Sequence, residues 1–138
     1  MAHHAMNHPA PYRPALAAWL MAALAALALT STARADIVDI AWDASGRFER
    51  AVTLAPGKFV ELCGKLPAGL KVRWDFEASA PLDFNVHYHV GKDVVFPSKM
   101  AATRKARDVL DTRTEQDYCW MWSNKTNGAA SLKIELQR

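Results

Sequence analysis

The chain has 138 residues, enough for one small domain and too few for a two-domain enzyme. Its charges are unevenly spread: of 17 Lys and Arg only Arg13 and Arg34 precede Asp36, while all 14 Asp and Glu lie at or after it. Residues 36–138 are therefore nearly neutral, which excludes a nucleic-acid binder that works through a basic face. Three of the five His (His3, His4, His8) lie in the leader, so a multinuclear His-rich metal store is excluded by count.

Residues 15–29 form an uncharged Ala/Leu run, with Arg13 before it and Ala33-Arg34-Ala35 after it. A positive n-region, a short apolar core and a small-x-small site make residues 1–35 a cleaved secretory signal. The competing reading is a retained membrane anchor, since Pro14 to Ala33 carries no charge. Cleavage after Ala35 leaves a periplasmic or secreted protein, residues 36–138, with no stable membrane insertion.

The shorter segments Ile37 to Trp42 and Phe48 to Leu54 read as strands, as does Phe59-Val60-Glu61-Leu62-Cys63. From Leu70 to Ala78, apolar Leu70, Val72, Trp74, Phe76 and Ala78 alternate with Lys71, Arg73, Asp75 and Glu77, the period of a half-buried strand. After Ala80-Pro81, read as a turn, Leu82, Phe84, Val86, Tyr88 and Val90 alternate with Asp83, Asn85, His87 and His89. Val94-Val95-Phe96 and the aromatic run Tyr118-Cys119-Trp120-Met121-Trp122 follow, and Ala130, Leu132, Ile134 and Leu136 close the chain with a third alternation. Residues 99–110 have helical propensity but read equally as a polar loop with a short strand. The expectation is all-β: an antiparallel β-sandwich of about seven or eight strands, jelly-roll-like, in one domain over residues 36–138.

Cys63 and Cys119 are an even pair in an exported domain, which reads as one structural disulfide. The long loop it closes makes it worth about 4 kcal/mol in the chain-entropy model. The competing reading is a pair of metal thiolates.

The run Tyr118-Cys119-Trp120-Met121-Trp122-Ser123-Asn124, followed by Leu132-Lys133-Ile134-Glu135-Leu136, resembles the closing strands of the GOLD domain, the lumenal β-sandwich of cargo receptors. Glu61-Leu62-Cys63 resembles the segment whose Cys pairs with that run in the family. The resemblance spans most of residues 36–138 and implies the fold and the disulfide. It does not imply receptor function, because the chain stops at Arg138 without a coiled coil, a C-terminal transmembrane helix or a sorting tail. In its standalone form the chain resembles small exported bacterial proteins of this fold.

His87-Tyr88-His89 is the sharpest chemical signal. On a strand, residues i and i+2 point to one face about 7 Å apart, so two imidazoles can share an ion. The expectation is a transition metal, copper ahead of zinc, on His87 and His89, with Met121 as a soft thioether. Asp83, Glu115 and Met100 are further candidate ligands, and dimerisation is another route to a complete shell. The bland alternative is two exposed polar His with no ligand, and a Met121 that only packs. Catalysis is not expected, because no nucleophile–base spacing, phosphate loop or zinc-protease motif is present. A second expectation is an envelope protein-interaction module with the same fold and no metal, with Trp120 and Trp122 as candidate partner or ligand surface.

Overall fold

The computed structural model describes residues 36–138; the leader, its cleavage site and the alternative membrane anchor lie outside the described residues. Seven strands run in chain order: β1 (Asp36–Asp39), β2 (Arg47–Leu54), β3 (Phe59–Leu66), β4 (Lys71–Val90), β5 (Asp93–Asp111), β6 (Gln116–Ser123) and β7 (Ala130–Gln137). There is no helix among the described residues.

Hydrogen bonding links the strands in the order β1-β3-β6-β4-β7-β2, with β5 on the remaining edge of β4. The two halves of β4 have different neighbours. Arg73–Ala78 pair with β7, whereas Asp83–His87 pair with β6. β4 thus passes from one leaf (β2, β7, β4) into the other (β1, β3, β6, β4), and β5 follows it along both. All pairings are antiparallel except that of β1 with β3.

The crossing is built from bulges. Between Glu77 and Leu82 the register of β4 against β5 slips, and two further slips occur beyond it. Bulges bend a strand and let it change sheets. Pro81 lies in the first slip, where its missing N–H deprives no ladder bond. Ala80-Pro81 is therefore a bend within one 20-residue strand rather than the expected turn between two. Residues 99–110 are likewise not a helix or loop but part of β5. Near the bend Ala102 has a φ of 48°, and its N–H donates to Asp83 Oδ1 at 3.1 Å.

The alternation read from the sequence points inward as expected. Phe76 from the first leaf meets Trp122 of the second edge-on, with ring centroids 5.6 Å apart. Phe84 lies 5.0 Å from Phe76 and 5.1 Å from Trp122, so aromatic rings lock the leaves together. Trp120 and Trp122 are fully buried, which corrects their assignment as a partner or ligand surface. β6 pairs with β3 from Gln116 to Ser123 without a slip, so Tyr118, Trp120 and Trp122 all face the core. Cys119 and Met121 must then face outward.

Asn124, fully buried after β6, fastens the β6–β7 connection. Its Nδ2 donates to the carbonyls of Leu54 and Gly128, and its Oδ1 accepts from Thr126 N–H and Oγ1. Truncating Trp122 to Ala should cost about 3–5 kcal/mol by opening a cavity between the leaves. Val94→Ala, on an exposed strand segment, should stay within about 0.5 kcal/mol. Urea unfolding followed by circular dichroism checks both.

Candidate metal centre

The outward face of β6 carries the chemistry. In one row across three strands, Cys63 of β3, Cys119 of β6 and His87 of β4 are direct partners; in the next row they are Glu61, Met121 and Asn85. Cys63 and Cys119 form the expected disulfide, with Cα atoms 4.1 Å apart. Glu61 and His87 reach toward each other over the β6 backbone and meet at 3.3 Å, Oε1 to Nε2. That contact, with the disulfide, is why Cys119 is buried although it faces away from the core.

His87 is only 7% exposed, against the expectation of a freely exposed pair. Phe96 leans on it with ring centroids 5.9 Å apart, and Lys99 Nζ sits 5.1 Å from the centre of the Phe96 ring. His89 is exposed, and its ring stands nearly perpendicular to that of His87 at 5.4 Å. The period-two argument did bring the two imidazoles together.

Both ring nitrogens of His87 are engaged. Nδ1 lies 2.8 Å from Asn85 Oδ1, an acceptor, so this contact needs the proton on Nδ1. In the neutral ring Nε2 then presents a lone pair to the Glu61 carboxylate. Two lone-pair donors facing each other at 3.3 Å call for something positive between them. Two ligands held tetrahedrally on one ion at 2.0–2.1 Å stand about 3.3 Å apart. A His whose second nitrogen is fixed by an outer partner is the usual arrangement of a metal-bound imidazole.

Among the other candidates, Met121 faces the same side between Glu61 and Asn85 and is half-buried. Asp83 sits four residues from His87 along β4, about 13 Å away, with Oδ1 accepting from Ala102. Glu115 is paired with Lys65 at 3.0 Å. Met100, opposite Phe84, packs against the core. These three do not join the His pair. Glu61, absent from the sequence candidates, does. It was quoted in the sequence only as a neighbour of Cys63, and its closeness to His87 depends on two strand pairings at once.

No protein-family model and no curated protein matches the chain. Among solved structures it is similar to the periplasmic inhibitor of g-type lysozyme, PliG, from Aeromonas hydrophila, with a TM-score of 0.52 and 10% identity over 74% of this chain and 95% of that one. The Salmonella Typhimurium PliG gives 0.52 and 12% over 75% and 98%. The pre-peptidase C-terminal domain of a Bacillus anthracis collagenase gives 0.50 and 7% over 75% and 95%. At these identities the likeness is one of fold.

Burial pushes the His87 imidazole below its ordinary value; the Glu61 charge opposes the drop and His89 adds to it. The unfolded chain therefore takes up this proton first as pH falls. The associated stability is complete above the unfolded pKa of about 6.5 and is lost as pH falls from there through the lowered folded value. In metal-free protein, unfolding free energy measured across this range should decline with falling pH, and the decline should be shallower in His87→Gln. Nitrogen NMR of the neutral ring should find the proton on Nδ1.

Proposed function

We propose that this is an exported, non-catalytic binding protein that holds a divalent transition metal, Cu(II) or Zn(II), between Glu61 and His87, with His89 completing the site. The observation that carries the reading is the 3.3 Å approach of Nε2 and Oε1 with Nδ1 held by Asn85. Export is supported by the Ala/Leu run with its Ala33-Arg34-Ala35 site and by the disulfide, which persists in oxidising compartments. The donor set is carboxylate and imidazole, which suits both ions. Preference for copper over zinc rests on Met121, the half-buried thioether beside the pair, and on the oxidising compartment. The GOLD-domain likeness belongs to the same reading. A bridge joining Glu61-Leu62-Cys63 to the Tyr118–Asn124 run supports it, and it carries no receptor activity.

The test is titration of Cu(II) and, separately, Zn(II) into the full chain, its Glu61→Gln variant and its His87→Ala/His89→Ala variant. The leader His contribute the same background to all three. One ion per chain should be lost in the double variant, and Glu61→Gln should weaken it by at least the roughly 10-fold that loss of even an outer partner costs. Identical isotherms would reject the site, and the tighter of the two ions decides between copper and zinc.

A second reading has its own observation. The β4–β5 hairpin runs past the last β6 pairing at His87 and turns at Gly91 with φ 61°, leaving Val90, Val94, Val95 and Phe96 exposed. An apolar tip on an exported domain fits a protein partner, and the fold shared with two lysozyme inhibitors makes a g-type lysozyme the first partner to try. On this reading the chain should slow lysis by that enzyme, Val94→Asp/Phe96→Asp should abolish the effect, and His87→Ala/His89→Ala should keep it. No inhibition by the unaltered chain removes lysozyme as the partner.

A further inference from the structure

A third donor stands beside Glu61 and His87, locked in a covalent bond. Cys119 Sγ, a ring nitrogen of His87 and a carboxylate oxygen of Glu61 all lie within 4.8 Å of one another. In the oxidised protein that sulfur is bonded to Cys63, and only a thiolate is a strong metal ligand. The register makes Cys119 the residue between Cys63 on one side and His87 on the other, so its sulfur has a neighbour to bind in either direction.

We propose that reduction of Cys63–Cys119 adds a ligand to this face, so that Cys119 thiolate, His87 and Glu61 together hold Zn(II) more tightly than the oxidised protein does. The inference rests on the metal reading above for Glu61 and His87, and adds the sulfur. Three protein ligands with at least one open position form a three-coordinate protein shell of the kind zinc accepts.

The reductant is a dithiol. Cys63 is half-buried and Cys119 buried, so the incoming thiolate reaches Cys63. A sulfur–sulfur bond forms to Cys63, the Cys63–Cys119 bond breaks, and its electron pair leaves on Cys119. The second thiol of the reductant then displaces Cys63, and the reductant departs as a disulfide having supplied two electrons. Of its two protons, one stays on Cys63 and the other goes to solvent as Cys119 takes the metal.

Glu61 Oε1 lies 3.4 Å from Cys63 Sγ, so its negative charge opposes the approach of a thiolate. A cation on Glu61 and His87 offsets that repulsion, and metal should speed reduction. Linkage requires the equilibrium effect to be mutual: each tenfold tightening of metal on reduction raises the disulfide's potential in saturating metal by about 30 mV.

The experiment uses the full chain in oxidised form, after reduction and removal of the reductant under argon, and as Cys63→Ser, which leaves Cys119 free without any reductant. Co(II) is the probe, because a thiolate ligand adds a near-ultraviolet charge-transfer band to which the leader His contribute nothing; Zn(II) competition gives the affinity. The band is expected in the reduced protein and in Cys63→Ser, absent in the oxidised protein and in Cys119→Ser, with Zn(II) at least tenfold tighter after reduction. No band, a band that survives in Cys119→Ser, or unchanged Zn(II) affinity overturns the inference. Loss of the near-ultraviolet dichroism of the buried Trp in both reduced protein and Cys63→Ser overturns it too. Binding by the oxidised protein with no change on reduction would leave the Glu61–His87 reading standing alone. Binding only after reduction would sink that reading in the oxidised protein and uphold this one.

Discussion

One strand has to serve both leaves of a single seven-stranded sheet, and the rest of the molecule is arranged around that requirement. β4 is straight enough to keep its alternation from Val72 to Ala78 and again from Leu82 to Val86, yet it must turn between the two stretches to reach β7 with one and β6 with the other. Bulged residues around Pro81 absorb the turn, and β5 bends with it. Because both inward-facing sets lie on one strand, Phe76 and Phe84 bring the leaves' aromatic residues into contact with Trp122. The sandwich core and the bend are thus the same feature.

The second consequence falls on the opposite face. With Tyr118, Trp120 and Trp122 committed to the core, β6 presents Asp117, Cys119, Met121 and Ser123 outward, and its flanking strands present Glu61, Cys63, Asn85 and His87 beside Cys119 and Met121. A disulfide, a carboxylate and an imidazole are gathered over one strand. The burial of His87 follows from that crowding rather than from any apolar character of its own. It also disfavours the charged imidazolium, an effect that the neighbouring Glu61 carboxylate opposes.

Much of the fold was legible because alternation is local. Leu70–Ala78, Leu82–Val90 and Ala130–Leu136 each carry their own period, and the even pair of Cys pointed to the bridge. Two features were not. Ala80-Pro81 resembles a turn because proline cannot join a ladder, and only the passage of β4 from one leaf to the other explains why it need not. β5 shows no alternation because it is an edge strand exposed on both faces for most of its length, with only Leu110 buried. At the site, His87 and His89 could be paired from their spacing, whereas Glu61 could not. Its contact with His87 spans β3, β6 and β4, and no local pattern encodes a register across three strands. The Trp pair misled for a related reason: a core that joins two leaves through aromatic contacts takes in both Trp120 and Trp122.

The most direct test of the central claim is an anomalous-scattering map from crystals of the oxidised protein grown with Zn(II), recorded on both sides of the zinc edge. A metal held at this site gives a peak between Glu61 and His87, about 2 Å from both Nε2 and the carboxylate oxygen, with His89 turned toward it. A map with no peak there, and with the two side chains still 3.3 Å apart, would contradict that claim.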